Sequence, residues 1–214
     1  MTTALALVPT LRREHLAFEE LDGRSLVGRA VSAASLATGA PVTVLIQREF
    51  EQYVHALPGN GNALVLDRAD ADREIRAAIA TTDLVVIHDP LCPLVPGSFI
   101  SSLLQALMRR LRETGAGSAL VAVRPVVETL KRVDSTGRVV STVDRESVRA
   151  VLSPVVTTNR MLAEIAGLAA ALADPGLLAR ELQATGDVQL VLAPESATRV
   201  ESRAALVAMA ASQT

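Results

Sequence analysis

No glycine occurs before Gly23, so the stretch ALALVPTLRREHLAFEELD offers no backbone position free of a Cβ for close approach to an anion. Lysine is nearly absent as well. Lys131 is the only one, and chemistry that needs a side-chain amine elsewhere is excluded. The single cysteine, Cys92, rules out an internal disulfide and fits a reducing compartment. Aromatic residues make up 2% of the chain and the net charge is −2, which leaves neither the rings nor the basic surface that nucleic-acid binding uses. The apolar runs are strand-length or broken by charge, so no membrane span is expected. Residues 1–8 lack the basic and long apolar regions of a signal peptide, and the chain reads as cytoplasmic.

What is present is a large apolar fraction, half of the 214 residues, rich in Ala, Val and Leu. Short apolar runs alternate with helix-period segments, which predicts an α/β fold with a mostly parallel sheet. Strands are expected at Ala4–Val8, Val42–Ile46, Ala63–Leu66, Leu84–Ile87, Ser118–Val123 and Val188–Leu192. Helices are expected at Ser25–Leu36, Asp70–Ala80 and Ser98–Thr114, and again at about 145–152, 158–172, 175–184 and 200–211. Between them, Val126–Val143 is rich in Val and Thr around the turn Asp134-Ser135-Thr136-Gly137, and predicts a two-stranded β-arm. Such a ribbon is marginal alone, so a homodimer through the arm is expected. No linker or repeat divides residues 1–214, which read as one domain.

Candidate chemistry begins at His88-Asp89, at the carboxyl end of a buried strand, where open α/β sheets bind ligands. An Asp there either holds Mg2+ through hard oxygen ligation or simply starts a loop. Arg12 and Arg13 follow the first strand, and either contact phosphate or point into water.

The order and spacing of several motifs then narrow the choice. They are Ile87-His88-Asp89-Pro90-Leu91-Cys92-Pro93, Pro125-Val126-Val127-Glu128-Thr129-Leu130-Lys131, Thr142-Val143-Asp144-Arg145 and Ser153-Pro154-Val155. With these the chain resembles the 2-C-methyl-D-erythritol 4-phosphate cytidylyltransferase family of isoprenoid biosynthesis, over about residues 4–210 and most strongly over 83–154. The resemblance implies a Rossmann-like nucleotidyltransferase sheet, a protruding arm that clasps a second protomer, CTP and a small phosphorylated alcohol as ligands, and Mg2+ at Asp89. It places the substrate phosphate against Thr129, Arg145 and Ser153, with Arg199 in the position of a lysine and Asp89 as a catalytic group.

Departures from the family pattern cluster in the amino-terminal part. Thr10-Leu11-Arg12-Arg13-Glu14 replaces the glycine-rich loop, Leu16 the lysine, Glu74 a base-recognising serine and Cys92 an arginine. Ser196 replaces a second acidic ligand, with Glu195 beside it. Three readings follow. The chain is a divergent homologue with weak or lost transfer that binds a phosphorylated ligand or a protein partner. It is an active cytidylyltransferase in which Arg12 or Arg13 rebuilds the loop. Or it is a regulatory subunit that pairs with an intact homologue.

Overall fold

The computed structural model describes residues 2–115 and 117–212, so the ends of the 1–214 domain reading lie outside the described residues. The elements run β1 (Ala4–Pro9), α1 (Glu14–Ala17), β2 (Glu20–Leu21), β3 (Arg24–Ser25), α2 (Leu26–Thr38), β4 (Val42–Gln47), β5 (Gly61–Leu66), α3 (Ala71–Ile79), β6 (Leu84–Ile87) and α4 (Gly97–Thr114). They continue with β7 (Ser118–Pro125), β8 (Lys131–Val133), β9 (Val139–Thr142), β10 (Arg149–Thr158), α5 (Asn159–Glu164), α6 (Leu168–Leu172), α7 (Pro175–Thr185), β11 (Asp187–Leu192) and α8 (Arg203–Ala211). Among the described residues a seven-stranded sheet has the order β11-β7-β10-β6-β1-β4-β5. Its pairings are parallel except those of β10, which runs antiparallel to both β6 and β7.

Local chemistry explains most boundaries. β6 is four apolar residues, all buried, as a strand covered on both faces requires. α2 begins where Ser25 Oγ accepts the Gly28 N–H at 3.1 Å, and ends at left-handed Gly39. α7 begins where Asp174 accepts the N–H groups of Gly176 and Leu177, with Pro175 in the first turn. The hairpin β2–β3 turns at Asp22 and Gly23, both at positive φ, the turn that matches strand twist.

Two apolar layers sandwich the sheet. One packs Val27, Val31, Ile100 and Leu107 of α2 and α4 against Ala6, Val44 and Val86. The other packs Ile75, Leu162, Leu168 and Leu182 of α3 and α5–α7 against Leu7, Val85 and Val121. Each fully buried Leu or Ile contributes about 1.5–3 kcal/mol relative to exposure.

Three of the expected helices are revised, one of them outright. The helix expected at about 145–152 is instead a short 3-10 turn, Arg145–Ser147, followed by β10. Its run RAVLSPVVTT is buried continuously from Leu152 to Thr158. A strand covered on both faces shows no polar–apolar alternation, and that absence hid it. The segment 158–172 is also two helices, divided by Gly167 at φ 68. The last helix starts at Arg203 rather than at Val200, capped by Ser202, whose hydroxyl accepts the Ala205 N–H.

The β-arm is present. β8 and β9 pair antiparallel, and Asp134 Oδ1 accepts the N–H groups of Thr136 and Arg138 across the turn. Val133, Val139 and Val140 on it are more than half exposed, at 55%, 57% and 54%.

Candidate active site

The carboxyl ends of β1, β4 and β6 meet the start of β10 and the segment 194–201 at one edge of the sheet. At its centre, β6 delivers His88 and Asp89. His88 is fully buried, and its Nδ1 lies 2.5 Å from Ser153 Oγ. The same Oγ accepts the Asp89 N–H at 2.9 Å. Burial drives the imidazole pKa down to about 4, so the ring is neutral at physiological pH and can accept the Ser153 proton. Ser153 itself is 2% exposed; it ties β10 to β6 and lines a small cavity with Arg13 and Asp89.

Asp89 is held from three sides. Its Oδ1 accepts the Leu91 N–H at 2.9 Å. Its Oδ2 accepts Arg199 Nε at 2.8 Å and lies 3.6 Å from Arg13 Nη1. The Asp89 and Arg199 side chains are only 12% and 13% exposed. Burial pushes the Asp89 pKa up, to about 6, against the pull of the Leu91 N–H and of Arg13. Arg199 Nη1 also reaches Glu201 at 2.9 Å, while its Nη2 is buried without a partner.

This arrangement does not fit a magnesium ion. Each Asp89 oxygen accepts from a protein donor, and Oδ2 is paired with the Arg199 guanidinium, whose charge opposes a hard cation beside it. Among the described residues no group of three or more His, Cys, Asp or Glu side chains is placed to hold a metal ion.

Two cavities flank the pair. One, of about 710 Å³, is walled by Arg12, Arg13, Arg68 and Arg199 together with Glu14, Leu16 and Phe50. The other, of about 900 Å³, lies at the base of the arm and includes Arg13, Arg124, Arg149, Arg199 and Glu128. Thr10 fastens the loop between them, its N–H and hydroxyl both donating to the Leu45 carbonyl.

The expected site residues thus separate into groups. Arg13, Asp89, Ser153 and Arg199 come together. Arg12 lies beside them, exposed, at φ 65. The loop therefore does hold a left-handed residue, although it has no glycine to supply one; Arg12 adopts it at a cost of roughly 1–2 kcal/mol. Thr129 and Arg145 lie apart on the arm, exposed, with Arg145 donating to the Val127 carbonyl at 3.0 Å. Glu74 lines neither of these cavities, and its carboxylate accepts the Asp67 N–H at 3.3 Å. Cys92 is fully buried, and burial lifts its thiol well above the ordinary range, so it is no nucleophile. Sequence reasoning missed Arg68 and Glu14. Nothing in their local sequence marks them, because only the fold brings β5 and α1 to the same wall.

A sequence model of 2-C-methyl-D-erythritol 4-phosphate cytidylyltransferase matches residues 12–208, nearly the whole chain. The chain belongs to that family. The enzyme of this name from Rhodococcus jostii is 30% identical over 171 residues, which is 77% of this chain and 73% of the relative. Among solved structures, the 4-diphosphocytidyl-2C-methyl-D-erythritol synthase of Anaerococcus prevotii superposes with a TM-score of 0.71 at 15% identity, covering 99% of this chain and 98% of that one. The 2-C-methyl-D-erythritol 4-phosphate cytidylyltransferase of Thermus thermophilus gives 0.66 at 22% identity, over 100% and 99%. At those identities the structural likeness carries the fold alone. The chain is thus a member of a cytidylyltransferase family of isoprenoid biosynthesis, with the family's α/β sheet and with arginines at its open edge.

Proposed function

We propose that this chain is a divergent member of the family in which cytidylyl transfer is weak or lost, and that its sheet edge binds a small phosphorylated ligand through arginine side chains. The observation that carries the reading is the buried pair of Asp89 with Arg199, 2.8 Å apart. Transfer of a cytidylyl group from CTP to an alcohol phosphate is achieved by positioning and by neutralising charge on the phosphates. Here the carboxylate that would recruit a cation is bound to a guanidinium, and the chain's one lysine, Lys131, donates to Thr142 on the exposed arm. The arginines that line the cavities retain enough positive charge to hold a phosphate, bidentately where the guanidinium is free.

The arm supports a second copy of the chain as partner. Its valines are exposed and its two strands are unsupported, and a homodimer would cover them while bringing Thr129 and Arg145 toward the partner's edge.

The direct test is pyrophosphate release from CTP with methylerythritol phosphate and Mg2+, beside a family member that has the glycine loop and its lysine. The expected rate is lower by roughly 10²-fold or more, the cost of losing one transition-state donor. A rate within about tenfold of the comparator, a barrier difference of only about 1.4 kcal/mol, would favour the active-enzyme reading, in which changing Arg12 and Arg13 together to Ala should then abolish activity.

A further inference from the structure

Glu14 follows directly on the loop that leaves β1, and it is 2% exposed. Its Oε1 is buried with no hydrogen-bond partner. The same side chain forms part of the 710 Å³ cavity wall, among Arg12, Arg13, Arg68 and Arg199. Yet none of these arginines pairs with it among the described residues: Arg13 and Arg199 are turned to Asp89 and Arg68 to Glu49. Burial pushes the Glu14 pKa up, while the backbone N–H groups of Glu14, Arg12, Gln47 and Arg13 act on the carboxylate and favour its charge. The loop is closed as a tight turn in which the Arg13 N–H donates to the Thr10 carbonyl at 2.9 Å, with left-handed Arg12 between them. The Glu14 carboxylate is thus a buried acidic group at the foot of this loop, in the same wall as the four arginines.

We propose that Glu14, a buried carboxylate at the foot of the β1–α1 loop and in the same wall as the arginines, is the residue that sets the specificity of this edge against polyphosphate. The inference rests on the reading above that the edge faces phosphate, and it explains a choice among phosphorylated ligands. A polyphosphate spread along this wall meets the repulsion of the Glu14 carboxylate just behind it. A monophosphate held farther along the wall, at the arginine side chains, does not.

The test uses the full-length protein and inorganic tripolyphosphate without metal, titrated calorimetrically at pH 8. Wild type is expected to give no saturable heat. Glu14→Gln keeps the shape and removes the charge, and is expected to gain about tenfold or more in affinity, a change of at least about 1.4 kcal/mol. Glu14→Gly, which also removes the side chain, is expected to gain at least as much. Arg12→Ala in the Glu14→Gln background is expected to lose the gain. Circular dichroism and cooperative urea unfolding establish that each variant is folded. Two folded variants that bind tripolyphosphate no better than wild type would overturn the proposal, as would tight binding by wild type. Those outcomes differ from failure of the functional reading, which is read from CTP turnover by the wild-type protein and not from tripolyphosphate affinity.

Discussion

The edge loop and the β-arm lie on the same chain but use their polar groups in opposite ways. At the edge, charges are spent inwardly: Asp89 on Arg199, Arg13 and the Leu91 N–H, and Ser153 on His88. On the arm, charged and apolar groups alike face outward, with Val127 at 73% exposure and Thr129 and Arg145 uncovered. The difference separates two requirements. At the edge Asp89 and Ser153 are engaged within the protein, while Arg199 Nη2 and Glu14 Oε1 are left without a partner. The arm is incomplete in itself and needs a surface to cover it.

The strongest break of this contrast is Arg199→Ala. It leaves Asp89 buried beside Arg13 alone, and the loss of a partner from a buried ion pair costs about 3–5 kcal/mol. Urea unfolding at pH 7.5 measures it. A loss near zero would mean that the pair is solvated and that the carboxylate is free for other work.

The second effect is on pH dependence. His88 has a folded pKa of about 4 against an ordinary 6.5, so the unfolded chain binds the extra proton between those values. Its contribution is complete above pH 6.5 and is lost as pH falls through about 4, in all at most about 3 kcal/mol. Asp89 acts with the opposite sign: raised to about 6, its contribution is largest below its ordinary 3.8 and is lost as pH rises through about 6. The two partly cancel in wild type. In His88→Asn the first is gone, so the stability difference between wild type and variant should widen as pH rises from 4 to 6.5. A difference that stays constant over that range would show that the ring is not held neutral by burial.

The smallest effect on the fold is expected on the arm. The double change Val139→Asp and Val140→Asp places charge on exposed positions and should leave unfolding of the protomer nearly unchanged. Sedimentation velocity should report a shift from dimer to monomer. A wild-type protein that sediments as a monomer would remove the arm from the interface.

The parts legible in the sequence were those whose local pattern matches their environment. β6 reads as a buried strand because LVVI is apolar throughout, and the arm reads as a hairpin because Val and Thr flank a turn sequence. Asp89 was legible as a strand-end residue. β10 was not, since its burial on both faces erased alternation and Pro154 interrupts the run. The pairing of Asp89 with Arg199 spans 110 residues and depends on how the segment after β11 returns across the edge, which no local pattern encodes. Glu14 reads as one more acidic residue in a charged stretch, and only the fold of the loop buries it.

The central claim is that the edge no longer receives a metal-bound triphosphate. Calorimetric titration of the wild-type protein with CTP and Mg2+, beside an intact family member, tests it most directly. The account predicts no saturable binding where the intact member binds. Micromolar binding that depends on Mg2+ would contradict it, because Asp89 would then have to leave Arg199 for the cation.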